Sequence, residues 1–206
     1  VRISVLPELP SFADAPRDMP FRPQFLEKFN FVALMVARLE KEKNIPMALR
    51  AFAHFVREFP TALLLIVGDG SQGALLKNMC ASLRIEDNVR FQKGYLREYE
   101  IADVLLLTSN YEGYGLVAVE ALYHHVPVIM TDVGVAGELV KDGENGLLVP
   151  VGEEVKFCEA LTRFAKDSTL QEHLKNGAKH TPLPYTSKEE YRGKLTYTWE
   201  TCSPRI

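Results

Sequence analysis

The sequence predicts an α/β fold built on a doubly wound, six-stranded parallel sheet, and three observations lead to it. Short apolar runs of strand length recur from Asn30 onward. The runs read as apolar throughout rather than alternating, as strands covered on both faces must be. Amphipathic stretches of helical period separate them, so strand and helix alternate along the chain.

Taken in order, residues 1–30 carry Pro7, Pro10, Pro16, Pro20 and Pro23 after a strand-like opening, Val1–Leu6, and read as an extended linker. The first strand is Phe31–Val36. Ile45–Phe59 follows as a helix with Leu49, Phe52, Phe55 and Val56 on one face. Further strands are expected at Ala62–Val67, Val89–Gln92, Val104–Leu107, Pro127–Met130 and Leu147–Val149. Helices are expected at Ala74–Leu83, Gly115–Tyr123, Gly134–Lys141, Glu153–Lys166 and Ser168–Lys175, with a last one, Lys188–Glu200, beyond Pro182 and Pro184. The domain division is a linker at 1–30, a compact domain at 31–186 and a terminal helix within 187–206.

Composition narrows the class. A chain of 206 residues buries a core without disulfide or metal, and 47% hydrophobic with 25% charged residues is ordinary for a globular domain. The net charge of -3 and the scattered basic residues argue against nucleic acid as a partner. Cys80, Cys158 and Cys202 form no close pair, so neither a zinc knuckle nor a dithiol centre is expected, and a reducing cytoplasm fits best. No apolar run approaches the roughly 18 residues needed to span a bilayer, and no signal peptide is seen. A start at Val1 rather than methionine suggests an excised or processed piece.

In a sheet of order 3-2-1-4-5-6, ligands bind beyond the carboxyl ends of the first and fourth strands, where the winding reverses. The loops there are Ala37-Arg38-Leu39-Glu40-Lys41-Glu42-Lys43-Asn44 and Thr108-Ser109-Asn110-Tyr111-Glu112-Gly113-Tyr114-Gly115. Gly113 and Gly115 allow close approach to a helix start whose N–H groups and dipole suit an anion. Arg38 and Lys43 add a guanidinium fork and a point charge, together a clamp for a diphosphate. Glu112 and Glu120, with backbones roughly 10 to 12 Å apart, can bracket such a group and accept from sugar and ribose hydroxyls.

Plainer readings compete. Arg38 and Lys43 can be surface ion-pair partners, Glu112 a dipole complement, and Glu120 an exposed helical residue. The literal G-x-G-x-x-G at Gly68, Gly70 and Gly73 suggests a dinucleotide site, but it follows the second strand, and Lys93 stands where a ribose-binding acid is wanted. His54, His124 and His125 lack partners at ligand spacing, so no metal is expected. Tyr95, Tyr99, Tyr111 and Tyr114 suit packing better than base stacking without a basic patch.

Arg38-x4-Lys43, Val67-Gly68-Asp69-Gly70, Val89-x-Phe91-x-Lys93-Gly94, Glu112–Ala121 with its paired glutamates, Pro127-Val128-Ile129 and Asp142–Val149 occur in one order and spacing. In that order they resemble the signature of family 4 retaining glycosyltransferases of GT-B fold, over residues 30–166. The resemblance implies a Rossmann-like C-terminal domain that binds a UDP- or GDP-linked sugar. It implies that Arg38, Lys43 and the main chain of Gly113, Tyr114, Gly115 and Leu116 hold the diphosphate, and that Glu112 is the catalytic contact to the transferred sugar. Glu120 would hold the ribose, and Lys93, Gly94 and Tyr95 the base. It further implies hexose transfer without cofactor or metal in polysaccharide or glycolipid assembly, an acceptor site on an absent N-terminal domain towards which the terminal helix packs, and peripheral membrane association through that domain. A stand-alone subunit of a split transferase and a GT-B sugar-nucleotide epimerase are the alternatives. His124-His125 departs from the family's small-residue turn.

Overall fold

Residues 24–93 and 98–183 are described by the computed structural model. The expected strand Val1–Leu6, the helix Lys188–Glu200 and residues Gly94 and Tyr95 lie outside them. The described elements belong to the compact unit Phe21–Thr181. Its strands are β1 (Phe31–Val36), β2 (Ala62–Val67), β3 (Val89–Gln92), β4 (Val104–Leu107), β5 (Val128–Thr131) and β6 (Gly146–Val149). They form one sheet in the order β3-β2-β1-β4-β5-β6. Every pairing is parallel, and Ala33 of β1 stands beside Leu64 on one side and Val104 on the other.

The α-helices among the described residues are α1 (Ile45–Phe55), α2 (Gly73–Leu83), α3 (Leu116–Tyr123), α4 (Glu154–Lys166) and α5 (Ser168–His180). Alternate residues of the strands (Ala33, Met35, Leu64, Ile66, Leu106, Ile129, Leu147) bury against Phe52 and Phe55 of α1, Leu76 of α2 and Phe157, Leu161 and Phe164 of α4. The winding reverses between β3 and β4, so that β4 lies on the side of β1 away from β2. A right-handed crossover then carries α3 to the opposite face, where it lies against β4 and β5 with Ala118, Val119, Ala121 and Leu122 buried. Burial on both faces is why β1, β2, β4 and β5 are apolar without alternation.

The departures from the sequence reading have local causes. β3 is an edge strand, and Val-Arg-Phe-Gln there is half-exposed rather than buried throughout. α1 stops at Phe55, four residues short of the expected end, and α5 runs on past Lys175 to His180. The expected helix Gly134–Lys141 is instead a compact loop, with Ala136 bridged to Val140. Gly134 (φ +59°) and Gly137 (φ +77°) adopt left-handed backbone, which an α-helix cannot use.

Close backbone approach governs the end of β2. Ala37 N donates to Val67 O (3.0 Å), Leu39 N to Asp69 O (2.9 Å) and Gln72 N to Leu39 O (2.9 Å), so residues 67–72 continue the ladder along the loop after β1. Gly68 (φ +150°) leaves no room for a Cβ beside Ala37 O, and a Cβ on Gly70 (φ +159°) would stand 2.6 Å from Leu39 O and 2.7 Å from Leu39 N. The G-x-G-x-x-G run therefore lies against the protein's own main chain rather than open to a pyrophosphate. Gly70→Ala is expected to cost about 2 to 4 kcal/mol from strain and overlap. Gly113→Ala, whose Cβ would meet nothing within 4 Å, is the control and should cost less than about 0.5 kcal/mol. Urea unfolding of the two variants checks the contrast.

Candidate functional site

The loops after β1 and β4 meet at the switch point, and polar side chains join them. Thr108, fully buried, places its Oγ1 3.0 Å from Lys43 O and 3.1 Å from Asn44 O. Asn110 N donates to Glu42 O (2.8 Å), and Asn44 Nδ2 donates to Asn110 Oδ1 (3.1 Å). From the far side, Thr131 Oγ1 at the end of β5 donates to Ser109 O (2.6 Å). The carbonyls of the loop after β1 are thus satisfied by donors of the loop after β4, whose Ser109 carbonyl is in turn satisfied from β5, as a buried crevice floor requires.

Above this floor lies an ion pair. Lys43 Nζ donates to Glu112 Oε1 (2.8 Å) and Oε2 (2.9 Å), and Ser109 Oγ donates to Oε1 (2.6 Å). The two side chains are 17% and 9% exposed, so the pair is largely withdrawn from water. Arg38 behaves differently. Its side chain is 73% exposed and pairs with Glu42 (2.8 Å) four residues on. Glu40, in the same loop, accepts from Ser71 N (2.9 Å) and Oγ (2.7 Å), bonds that hold its carboxyl below the usual range.

The loop carrying Glu112 is braced from beneath. Val135 N donates to Tyr114 O (2.9 Å), and a Cβ at Gly134 would stand 2.5 Å from that oxygen and 3.0 Å from Glu112 Cβ. Gly115 (φ +92°) turns the chain into α3, so the helix begins at Leu116 with its N-terminus beside the pair. Tyr111 and Tyr114 are exposed, and Gly113 faces open space.

Glu120 is no surface residue: it is 6% exposed and accepts from Tyr99 Oη (2.8 Å). Burial pushes its carboxyl up to about 6, against the pull of that hydrogen bond. Lys93, at the end of β3, pairs with Asp69 (2.8 Å) and holds its carboxyl low, with both side chains on the surface.

The structure therefore brings Lys43, Glu112, Gly113, Tyr114, Gly115 and Leu116 together, and keeps Arg38 on the rim. Sequence reasoning names Thr108, Ser109 and Asn110 only as part of the switch-point loop and Tyr99 only as a packing residue, and it gives Thr131 and Gly134 no part in the site. The run of hydroxyl and amide residues directly after a switch-point strand was the available signal for the first three. Among the described residues no group of three or more His, Cys, Asp or Glu is arranged to hold a metal ion, and no helix is long and apolar enough to cross a membrane.

Fold and crevice define a Rossmann-like, doubly wound α/β domain with paired charges at its switch point. Residues 19–181 match the family Glycosyl transferases group 1, and the chain belongs to it. Alpha-monoglucosyldiacylglycerol synthase of Acholeplasma laidlawii is 32% identical over 167 residues, 78% of this chain and 41% of the relative. The crystal structure of a S. aureus TarM mutant, in complex with fondaparinux, alpha-GlcNAc-glycerol and UDP, superposes with a TM-score of 0.73 at 20% identity, over 90% of this chain and 37% of that one. The C-terminal domain of LpcC, a glycosyl transferase group 1 family protein from Francisella tularensis, superposes at 0.66 and 20% identity, over 73% of this chain and 83% of that one. The shared fold is that of the GT-B glycosyltransferases, and the chain spans less than half the length of the Acholeplasma relative.

Two outcomes follow from the charges. Lys43→Met leaves a nearly buried carboxylate with Ser109 alone and is expected to cost about 1 to 3 kcal/mol near neutral pH. Adding Glu112→Gln should recover most of that loss in urea unfolding. For Glu120 the folded state holds its proton more tightly than the unfolded chain does. Its contribution to stability is thus full below the ordinary glutamate range and falls as pH rises through about 6. Between pH of about 4 and about 7, the stability of Glu120→Gln relative to the native chain should improve by on the order of 2 kcal/mol.

Proposed function

We propose that this chain is the donor-binding domain of a retaining glycosyltransferase of family 4, binding a UDP- or GDP-linked sugar and serving hexose transfer in glycolipid or polysaccharide synthesis. The carrying observation is the Lys43–Glu112 pair across the switch point, beside the start of α3. An ammonium has three N–H donors, and two of these are engaged by Glu112, so the third is available to a phosphate oxygen. The positive end of α3, with the main chain of Gly113, Tyr114, Gly115 and Leu116, receives the remaining phosphate charge. Arg38 is exposed on a flexible side chain, and a diphosphate can compete with Glu42 for its fork, because a surface ion pair is worth little.

The chemistry follows from where charge develops. As the anomeric bond breaks, negative charge accumulates on the departing nucleoside diphosphate, and Lys43 and the helix terminus stand ready to stabilise it, with Arg38 recruited from Glu42. Glu112, paired with Lys43 and oriented by Ser109, accepts from a hydroxyl of the sugar. Glu120 accepts from the ribose, and the segment from Lys93 through Gly94 to Tyr95 meets the base. No metal or cofactor is needed in this scheme. The acceptor, and any group that activates it, belong to an N-terminal domain, and an acceptor on a lipid would bring the whole protein to a membrane surface from the cytoplasm. The name of the Acholeplasma relative, a glucosyldiacylglycerol synthase, supports the glycolipid side of this reading.

The two glutamates should fail differently. Glu120→Gln is expected to weaken nucleoside diphosphate and nucleotide sugar alike, by about 1 to 3 kcal/mol. Glu112→Gln should spare the bare diphosphate and weaken only the intact donor. Calorimetry with UDP, GDP and their glucose conjugates checks this. Equal loss of both ligand types in Glu112→Gln, with Glu120→Gln unchanged, would overturn the assignment.

A further inference from the structure

Tyr99 and His124 have no part in donor binding as described so far, yet they surround one of its carboxylates. Tyr99 stands in the short turn Glu98–Glu100, which follows the segment read as the base contact. Its ring is 6% exposed, and its Oη donates to Glu120 Oε2 at 2.8 Å. The imidazole of His124, at the end of α3, lies parallel to the Tyr99 ring, with centroids 5.1 Å apart and planes 3° apart. Tyr123 meets His124 edge-on at 5.3 Å. The turn is also held from the sheet, because Gln92 Nε2 at the end of β3 donates to the buried Glu98 Oε1 (2.8 Å).

This arrangement is costly as pure structure. A carboxylate at that depth has lost most of its hydration, and one phenol does not restore it, as the raised titration of Glu120 shows. Apolar side chains of similar volume would pack there with no such penalty. Groups retained at a cost in stability are candidates for function. The geometry also divides the carboxylate in two. Oε2 is occupied by the phenol, and the O–H direction restricts the rotation of a side chain with three free torsions, leaving Oε1 as an acceptor of fixed position.

We infer that Tyr99 is a positioning residue of the nucleotide site: its hydroxyl fixes Glu120 through Oε2 so that Oε1 accepts from the ribose, and His124 fixes Tyr99 by stacking. The inference rests on the reading of Glu120 as the ribose acceptor. It gives His124 a role specific to this chain, and it couples the turn beyond β3 to the ribose carboxylate on α3. Holding Oε1 in place before the nucleotide arrives is how preorganisation raises affinity.

The test is calorimetry on the 206-residue chain with UDP or GDP, whichever the native chain binds more tightly, and with its 2′,3′-dideoxy analogue. Tyr99→Phe keeps the ring stack and removes the hydroxyl, and is expected to weaken the diphosphate about ten-fold. The same variant should bind the dideoxy analogue as the native chain does, and Tyr99→Phe combined with Glu120→Gln should bind no worse than Glu120→Gln alone. His124→Phe should retain affinity, and His124→Ala should lose a few-fold. Native affinity in Tyr99→Phe, or equal loss for both ligands, overturns the inference while leaving the ribose assignment standing. If Glu120→Gln itself binds the diphosphate normally, or the native chain binds neither nucleotide, the donor-site reading fails and this inference with it. Thermal melting of each variant separates lost affinity from lost fold, and His124→Ala supplies an independent arm if Tyr99→Phe does not fold.

Discussion

The bond between the loops after β1 and β4 is the constraint on which the rest of the site depends. Two strands that are neighbours in the sheet but 71 residues apart at their carboxyl ends, Val36 and Leu107, bring their loops together only because the winding reverses between them. Thr108, Asn110 and Asn44 then exchange hydrogen bonds across the gap, and Lys43 reaches Glu112. Cation and carboxylate are thereby held at the mouth of α3 before any ligand arrives, with little reorganisation left for binding.

Main-chain contact supplies the rigidity. The Gly68-to-Gly70 segment lies along Ala37–Leu39 and fixes the base of the loop that carries Arg38, Glu40 and Lys43. Gly134 does the same beneath Glu112 and Tyr114. In both places glycine serves a backbone approach closer than any Cβ permits. A sequence motif that reads as a ligand cradle is, after β2, a cradle for the protein's own chain.

The two carboxylates show how environment divides roles between identical groups. Glu112 keeps a cation and a hydroxyl, at the edge of water. Glu120 is deeper, has the Tyr99 phenol on one oxygen, and titrates about 6. The first environment gives an ion-paired contact, and the second a carboxylate whose charged form burial disfavours. His124 lies parallel to Tyr99 on the side of the second.

Much of this was legible in the amino-acid order. Strand order, the position of the crevice and the residues that face it follow from hydrophobic period and topology rules, which are local or nearly so. Phe31–Val36 and Ala62–Val67 read as buried strands because nothing polar interrupts them. Gly134–Lys141 reads as a helix because its apolar spacing suits one, while left-handed Gly134 and Gly137 forbid it, and Gly134 serves a contact with Tyr114 twenty residues away. The partners of Glu112 and Glu120 were equally hidden. Lys43 precedes Glu112 by 69 positions and Tyr99 precedes Glu120 by 21, and no period connects them. The sequence by itself determined which elements form and which loops meet, since period and handedness suffice for that. Only the tertiary structure decided which charges pair, which carboxylate is buried and which glycines touch backbone, because those depend on distances of a few ångströms between segments that the chain order leaves far apart.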